Sequence, residues 1–567
     1  MTRSTFAKLE RLYESLTQER LRAALDEFKE TGRTTDNGVQ LLLRELSIFG
    51  YSQPLSNDTR LQMRRKIKSL CIAIGLPAIW FTINPNDIVN PIKIRLAVFR
   101  NHTPEVAKQL LEEVRLNLQA MARSINDPVS AVEFFRREVT LFFQHFVKPG
   151  QESIFGKVSH YYAAIETNER GALHLHGLMW WAGNLQLHTL GQDFAGPEGQ
   201  EYRDKVTAFV DDIFSETLDE NQGREIRRTR KVTDEEPRLV NDMAYLDEAF
   251  DAEANFVAYC CQIHSHSATC VKYSIKDIAT VGLSLYKKLP CRFKAPWRLI
   301  DRTHYTTDGV LEVKRDHPLV NRYNPSMAIA LKHNHDITMI LSKKQGLALV
   351  YYMTNYATKL HTPMWQRIAF AADVYQQLQA REPEAETRED LGPKSNKTRQ
   401  FLMRLANRVF TDRELSSVEV INHLFGYETD YTNVSEWTYL HLNTLYWAVA
   451  KQWCQLQEAI AEHRGVEQDD ETVQVRRMGF QLWHIEAYKY RGPLLRDMCL
   501  YDYMSLVQLT KPTAMEEDES LISFDERAEF GDTWMQRLRK PGERAVVVFT
   551  GELSDKLRDE HVVFYKR

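Results

Sequence analysis

The sequence predicts an α+β protein in which strands are few and helices long. Three observations predict it. The β-type runs are short and local: Trp80-Phe81-Thr82-Ile83, stopped by the turn signal Asn84-Pro85-Asn86-Asp87, and a strand–turn–strand pattern over Tyr161–Trp181. Elsewhere apolar residues recur at helical spacing, as in Leu41-Leu42-Leu43-Arg44-Glu45-Leu46 and Thr59–Ile74. Finally, 567 residues with 43% hydrophobic and 26% charged side chains have the bulk and composition of about three ordinary globular domains.

In order along the chain, residues 1–59 read as a helical N-terminal region and residues 60–380 as one mixed domain. Within that domain, Glu- and Leu-rich helices are expected at about 104–122 and 128–147, before the Tyr161–Trp181 hairpin. Residues 216–237 are dense in charge of both signs and poor in apolar residues, which reads as a surface insertion or flexible loop. Residues 256–300 collect cysteines and histidines as a subdomain. The stretch 381–399, with two prolines and almost no core residues, reads as a linker before a mainly helical C-terminal domain over 400–567. The acidic run Glu516-Glu517-Asp518-Glu519 precedes a short β-like end at Ala545–Phe549, and no internal repeat is evident.

Composition narrows the function classes. No apolar run reaches membrane-spanning length and the N-terminus has no signal-peptide core, so an intracellular protein with no membrane partner is expected. Seven cysteines, an odd number, favour free thiols or a metal site over a disulfide framework. The net charge of −4 does not advertise a polyanion binder, so any such surface is a local patch; Arg64–Lys68 and Arg227–Lys231 are candidates, although charge runs are commonly solvated faces.

Three groups of residues carry chemistry. In Glu166–His176 two histidines flank one apolar residue; alternate side chains of a strand share a face, so His174 and His176 point the same way. Arg170-Gly171 suits a tight turn that folds Tyr161–Glu166 back and brings Glu166 across from the histidines, making a candidate metal site with positions left for substrate oxygens. The alternative is a histidine pair on a half-exposed strand. The second group is Cys260, Cys261, His264, His266, Cys270 and Cys291, from which His264, His266, Cys270 and Cys291 make a candidate zinc set. No CxxC pair is present, and the adjacent Cys260-Cys261 fits the buried side of a helix equally well. The third is Leu347–Leu360, where Tyr352 and Tyr356 stand one above the other on a helix with Lys359 one turn on. By composition alone this is an amphipathic helix whose tyrosines cover the core.

Taken in order, Trp80–Asp87, Glu166–Gly177, His264–Cys270, Cys291-Arg292-Phe293, Asn334–Asp336 and Tyr352–Lys359 resemble the Helitron transposase family, and within it the N-terminal Rep-type nuclease of the HUH endonuclease class. The resemblance spans roughly residues 60–365, with weaker likeness through Arg413–Gly426. It implies a central antiparallel sheet carrying the histidines and flanked by helices. It also implies that His174 and His176, with Glu166 or alternatively Glu169, hold Mg2+ or Mn2+, and that Tyr352 and Tyr356 are paired nucleophiles with Lys359 trailing. It lends weight to structural zinc at the Cys/His set. The implied activity is nicking and rejoining of single-stranded DNA through a 5′-phosphotyrosine, in the nucleus, with Arg170, Trp80 and Asn84 toward the DNA; Trp180 and Trp181 are further stacking candidates or core aromatics. Asn355 between the tyrosines and Asn168-Glu169 before Arg170 depart from the family's usual residues. No GxxxxGK[ST] is present; Gly392-Pro393-Lys394-Ser395-Asn396-Lys397-Thr398 lacks the second glycine, so no ATP hydrolysis is expected and a separate helicase would act as partner. The chain thus resembles such a protein cut short before its helicase, and a silent or host-adopted remnant that binds DNA or a protein is the alternative to an active enzyme.

Overall fold

A computed structural model describes residues 3–51, 53, 56–85, 90–114, 127–167, 171–183, 197–230, 246–266, 270, 291–306, 311–340, 348, 350–352, 354, 364–380, 393–411, 415–442, 445, 484–511, 520–540 and 542–550. It is a mixed helix and strand structure in two compact units. One comprises residues 1–64 and 76–432, the other 65–75 and 433–567.

The first unit is built on a five-stranded antiparallel sheet. In chain order its strands are β1 (Ile79–Asn84), β2 (Val158–Thr167) and β3 (Leu173–Trp181), then, after the small pair β4 (His304–Tyr305) and β5 (Leu311–Glu312), β6 (Asn334–Met339) and β7 (Asp430–Thr432). Across the sheet they lie β6-β1-β3-β2-β7. Alternation gives each strand an apolar and a polar side. Ile79, Phe81, Ile83, Ile165, Leu175, Met179 and Ile337 face a core shared with Val132, Phe135 and Val139 of the helix Pro128–Leu141 and with Val210 and Ile213 of the helix Pro197–Ile213. Trp80, Thr82, Asn84, His174 and His176 alternate with these and share the opposite face. The helix Pro128–Leu141 runs into a π-helical turn, Phe142–Val147, whose Phe142 and Phe143 pack tilted and edge-on against Phe81.

Gly177 follows the second histidine on β3 for a packing reason. A Cβ there would stand 2.1 Å from the Phe81 ring, which is fully buried. Gly171, in the hairpin turn, has φ +79 and a Cβ would meet Ser416 Cβ at 2.9 Å, so the turn needs a residue with neither side chain nor handedness restriction.

The N-terminal helices Arg3–Ser15, Gln18–Thr31 and Asn37–Tyr51 do not form a region of their own. They share one core, including Leu9, Leu21, Leu42, Ile368 and Leu405, with the helices Met364–Gln379 and Pro393–Thr411. The linker expected at 381–399 therefore yields to helix from Pro393, and the compact units divide after Thr432 instead; residues 381–392 lie outside the described set. The charged stretch 216–237 is likewise no loop at its start. Glu216 is buried between Arg315 and Arg322, at 2.7 and 2.5 Å, the helix Glu220–Thr229 packs on Leu246–Cys261, and Arg230 pairs with Glu253. Charges neutralised in pairs bury a segment that its composition reads as solvated.

The second unit is not mainly helical among its described residues. Strand β8 (Trp437–His441) pairs in parallel with β12 (Val546–Thr550), and β9 (Val507–Thr510), β10 (Leu521–Ile522) and β11 (Met535–Leu538) form a three-stranded antiparallel sheet. No helix among the described residues is long and apolar enough to cross a membrane.

Two stability outcomes follow. Gly177→Ala forces the Phe81 ring to move in a filled core and should lower stability by about 1–3 kcal/mol in a denaturant titration. Arg367 donates to Asp58 across 2.7 Å with both side chains almost fully buried, so Arg367→Ala, which strands the Asp58 carboxylate, should cost about 3–5 kcal/mol by the same assay.

Candidate functional site

The histidine face of the sheet is assembled by strand register. The β2–β3 pairing sets Glu166 directly opposite His174 and Ala164 opposite His176. On the other side of β3, Thr82 is opposite His176, and two residues beyond Thr82 the Asn84 side-chain carbonyl lies 3.1 Å from His174 Nδ1. Diagonally across the hairpin, His176 Nε2 stands 3.1 Å from Glu166 Oε2. The two imidazole rings are 4.4 Å apart, centroid to centroid.

Both observations suit a cation. His176 donates from Nε2 to Glu166 Oε2 at 3.1 Å; with that proton displaced, the separation is the roughly 3 Å between ligands at right angles around an ion held at about 2.1 Å. A carbonyl oxygen only accepts, so His174 Nδ1 carries the hydrogen and its Nε2 keeps a lone pair; that Nε2 is buried without a hydrogen-bond partner. Leaving such an atom unsatisfied costs about 1–3 kcal/mol, which a bound ion would recover. Burial, then the nearby charges of His176 and His333, hold the His174 pKa well below its ordinary value, keeping the ring in its ligating neutral form. With His174 turned to Asn84, however, His174, His176 and Glu166 do not close into a group whose ligand atoms all lie within 4.8 Å of one another.

Trp80 lies alongside on the same face. Its ring stacks at 6.5 Å from His176 and meets the Tyr352 ring edge-on at 6.1 Å. Tyr352 sits on a helical segment and is 39% exposed, so the phenol is on the histidine side of the sheet and open to solvent. Tyr356, Lys359, Arg170 and the alternative ligand Glu169 lie outside the described residues. Of the other tryptophans, Trp180 is fully buried and Trp181 donates from Nε1 to the Phe155 carbonyl at 2.7 Å, so both belong to the interior. Asn84, expected toward DNA, has its carbonyl engaged with His174.

A second site is a closed metal-ligand group. His264, His266, Cys270 and Cys291 bring one ligand atom each within 4.8 Å of all the others. His264 Nε2 is 3.5 Å from both Cys270 Sγ and Cys291 Sγ, the sulfur-to-nitrogen separation around a tetrahedral zinc with bonds of about 2.3 and 2.05 Å. The backbone explains the convergence: Arg292 N donates to Cys270 O at 3.0 Å, joining the two cysteines, and His264 N donates to Leu319 O at 2.7 Å just past the helix Leu246–Cys261. Trp297 and Phe293 pack on the His264 ring at 5.8 and 5.6 Å, and burial, with His266 nearby, lowers its pKa so that it stays neutral. Cys260 and Cys261 end the helix outside this group, and burial raises the thiol pKa of Cys261 to about 12, the mark of a packing cysteine.

Sequence reasoning did not single out His333. Lys332-His333-Asn334-His335-Asp336 repeats the HxH spacing of β3, a signal that was available. His333 is 1% exposed, with Nδ1 at 3.2 Å from the Asn334 carbonyl and Nε2 buried without a partner.

Metal analysis of the purified chain should find one equivalent of tightly held metal that Cys270→Ser/Cys291→Ser removes, with a lower unfolding midpoint in the variant; an unchanged metal content would exclude the thiolates as ligands.

A sequence model of the family described as "Helitron helicase-like domain at N-terminus" matches residues 2–179. The match takes in the N-terminal helices, β1, β2 and β3 with Glu166, His174 and His176, and ends before the Tyr352 segment. No curated protein matches the chain. The N-terminal region of this chain is therefore Helitron-related.

Proposed function

We propose that this protein is a metal-dependent endonuclease and strand transferase of Helitron-like, rolling-circle transposition, acting on single-stranded DNA. The observation that carries the reading is the line of contacts Glu166–His176–Trp80–Tyr352, which gathers a carboxylate, an imidazole pair and an exposed phenol from three distant segments onto one sheet face. A plain metallohydrolase has no need of that phenol.

Glu166, His174 and His176 would hold the divalent ion, Mg2+ or Mn2+. When bound, it polarises the scissile phosphate and neutralises charge on its non-bridging oxygens. Tyr352, or Tyr356 four residues later in the sequence, attacks phosphorus with its Oη; the bond from phosphorus to the 3′ oxygen breaks, and the phenol's proton ends on the released 3′-hydroxyl. One phosphodiester replaces another, so a 3′-hydroxyl can later reverse the step without ATP. Two tyrosines allow two 5′ ends to be held in turn, and Lys359 supplies positive charge to phenolate or phosphate. Trp80 offers a face for an unpaired base, and Arg170 and Asn84 supply polar contacts to the strand. Zinc at His264, His266, Cys270 and Cys291 is structural, because all four positions are taken by protein. Nuclear residence and a separate helicase partner complete the reading.

Incubation with an end-labelled single-stranded oligonucleotide and Mn2+ should give a denaturation-resistant protein–DNA adduct. Tyr352→Phe/Tyr356→Phe should abolish it and His176→Ala should reduce it by at least about 100-fold. DNA retention without adduct in any metal would favour the silent, DNA-binding remnant.

A further inference from the structure

We propose that residues 292–302, beside the His264, His266, Cys270 and Cys291 group, form a second binding surface for single-stranded DNA, with Phe293 as its stacking ring and Lys294, Arg298 and Arg302 as its phosphate contacts. This surface rests on the reading above for the identity of its strand, and it needs no metal at the sheet face.

The segment reads Arg292-Phe293-Lys294-Ala295-Pro296-Trp297-Arg298-Leu299-Ile300-Asp301-Arg302. Four cations stand against one acid there, whereas the whole chain carries a net charge of −4. Its backbone is held on both sides. Arg292 N donates to the Cys270 carbonyl at 3.0 Å and Lys294 N to the Cys291 carbonyl at 2.8 Å, so the turn carrying Phe293 is closed on the two cysteines. Trp297 Nε1 donates to the Phe293 carbonyl at 2.9 Å, and Trp297 N to the Pro318 carbonyl at 2.8 Å. From there the chain runs as an antiparallel ribbon, with Ile300 bridged to Arg315 and β4 paired with β5. A surface so fixed loses little conformational freedom when a ligand settles on it.

The side chains divide by direction. Cys270, Cys291 and Ala295 are buried together with Trp297 packed on them, but Phe293 and Leu299 leave 44% and 54% of their surface exposed. Burial would stabilise either residue, so the fold gives no reason for an exposed ring on a rigid turn. Two contacts orient that ring: the His264 imidazole meets it edge-on at 5.6 Å, and the Arg292 guanidinium lies 4.5 Å from its centre. Among the described residues neither Lys294 nor Arg302 is in an ion pair. The Arg298 pair with Glu312 lies at the surface, where a phosphate can replace the carboxylate at little cost. Lys294 also has φ +62, in the left-handed region that favours glycine. The other two described lysines with positive φ, Lys148 and Lys332, close helices, where the dipole favours a cation; Lys294 follows a turn instead. An exposed ring set among cations suits unpaired bases, which stack on it while their phosphates are neutralised, whatever the sequence. Duplex DNA keeps its base faces stacked inside and offers the ring nothing.

The test uses the full zinc-loaded chain without Mg2+ or Mn2+ and a fluorescent oligothymidylate, with binding read by anisotropy. Phe293→Ala is expected to weaken binding about 5- to 100-fold. Lys294→Gln/Arg302→Gln should lower the slope of log affinity against log salt by about 1.4, and zinc content should be unchanged in both variants. An oligonucleotide carrying 5-iododeoxyuridine should photocrosslink to the peptide that contains Phe293. Unchanged affinity and salt slope in both variants, or crosslinks confined to the Trp80 and Tyr352 face, would overturn this inference and leave the nuclease reading intact. Equal competition by duplex DNA or by polyglutamate would overturn it too. Weakened binding in these variants of a chain that forms no adduct in any metal would sustain this surface while the nuclease reading fails.

Discussion

Strand register is the constraint on which the rest depends. Glu166 faces His174 across one edge of β3, and Thr82 faces both His176 and, on its other side, Asp336. Because side chains alternate, a slip of one residue in either pairing would send both histidines into the core and turn Leu173 and Leu175 outward. Apolar burial of Phe81, Ile83, Leu175 and Ile165 on one face thus fixes the polar constellation on the other. Gly177 and Gly171 serve that register, the first by letting Phe81 lie against β3 and the second by closing the hairpin.

The two metal-type sites divide by chemistry. His264, His266, Cys270 and Cys291 are two imidazoles and two thiols already gathered, with the rings of Phe293 and Trp297 packed on His264, and nothing in the set is left to act on a substrate. The sheet site mixes a carboxylate with imidazoles, is looser, and borders an exposed phenol. Closed ligation suits a structural role and open ligation a reactive one. Both depend on the helix Leu246–Cys261 and the segment after it: His264 follows that helix, and Gln262 ties it to His335 on β6.

Much of this was legible in the sequence where a local period encodes geometry. The two-residue spacing of His174 and His176 equals the strand repeat, and the turn at Gly171 placed Glu166 opposite. Residue types alone named the four members of the His/Cys group, although what joins them, the Arg292 N–H to the Cys270 carbonyl, is a long-range backbone contact with no sequence signature. The misses share a cause. Strand β7 is three residues long and carries no period; it is held by pairing with Tyr162–Ala164 and by the bond from Tyr162 Oη to Asp430 at 2.7 Å. Residues 216–230 were read as solvated because pairing of Glu216 and Arg230 with distant charges is invisible locally. The shared core of the first three helices with residues 364–411 is likewise a tertiary fact.

The central claim is that one sheet face, set by register, presents a cation site beneath an exposed tyrosine. Anomalous diffraction from crystals soaked in Mn2+ tests it most directly. The account predicts a single strong peak on that face, about 2.1–2.3 Å from His176 Nε2 and Glu166 Oε2 and on the Trp80–Tyr352 side of the sheet. Manganese found elsewhere, with His176 and Glu166 still joined by a proton at full Mn2+ loading, would contradict it.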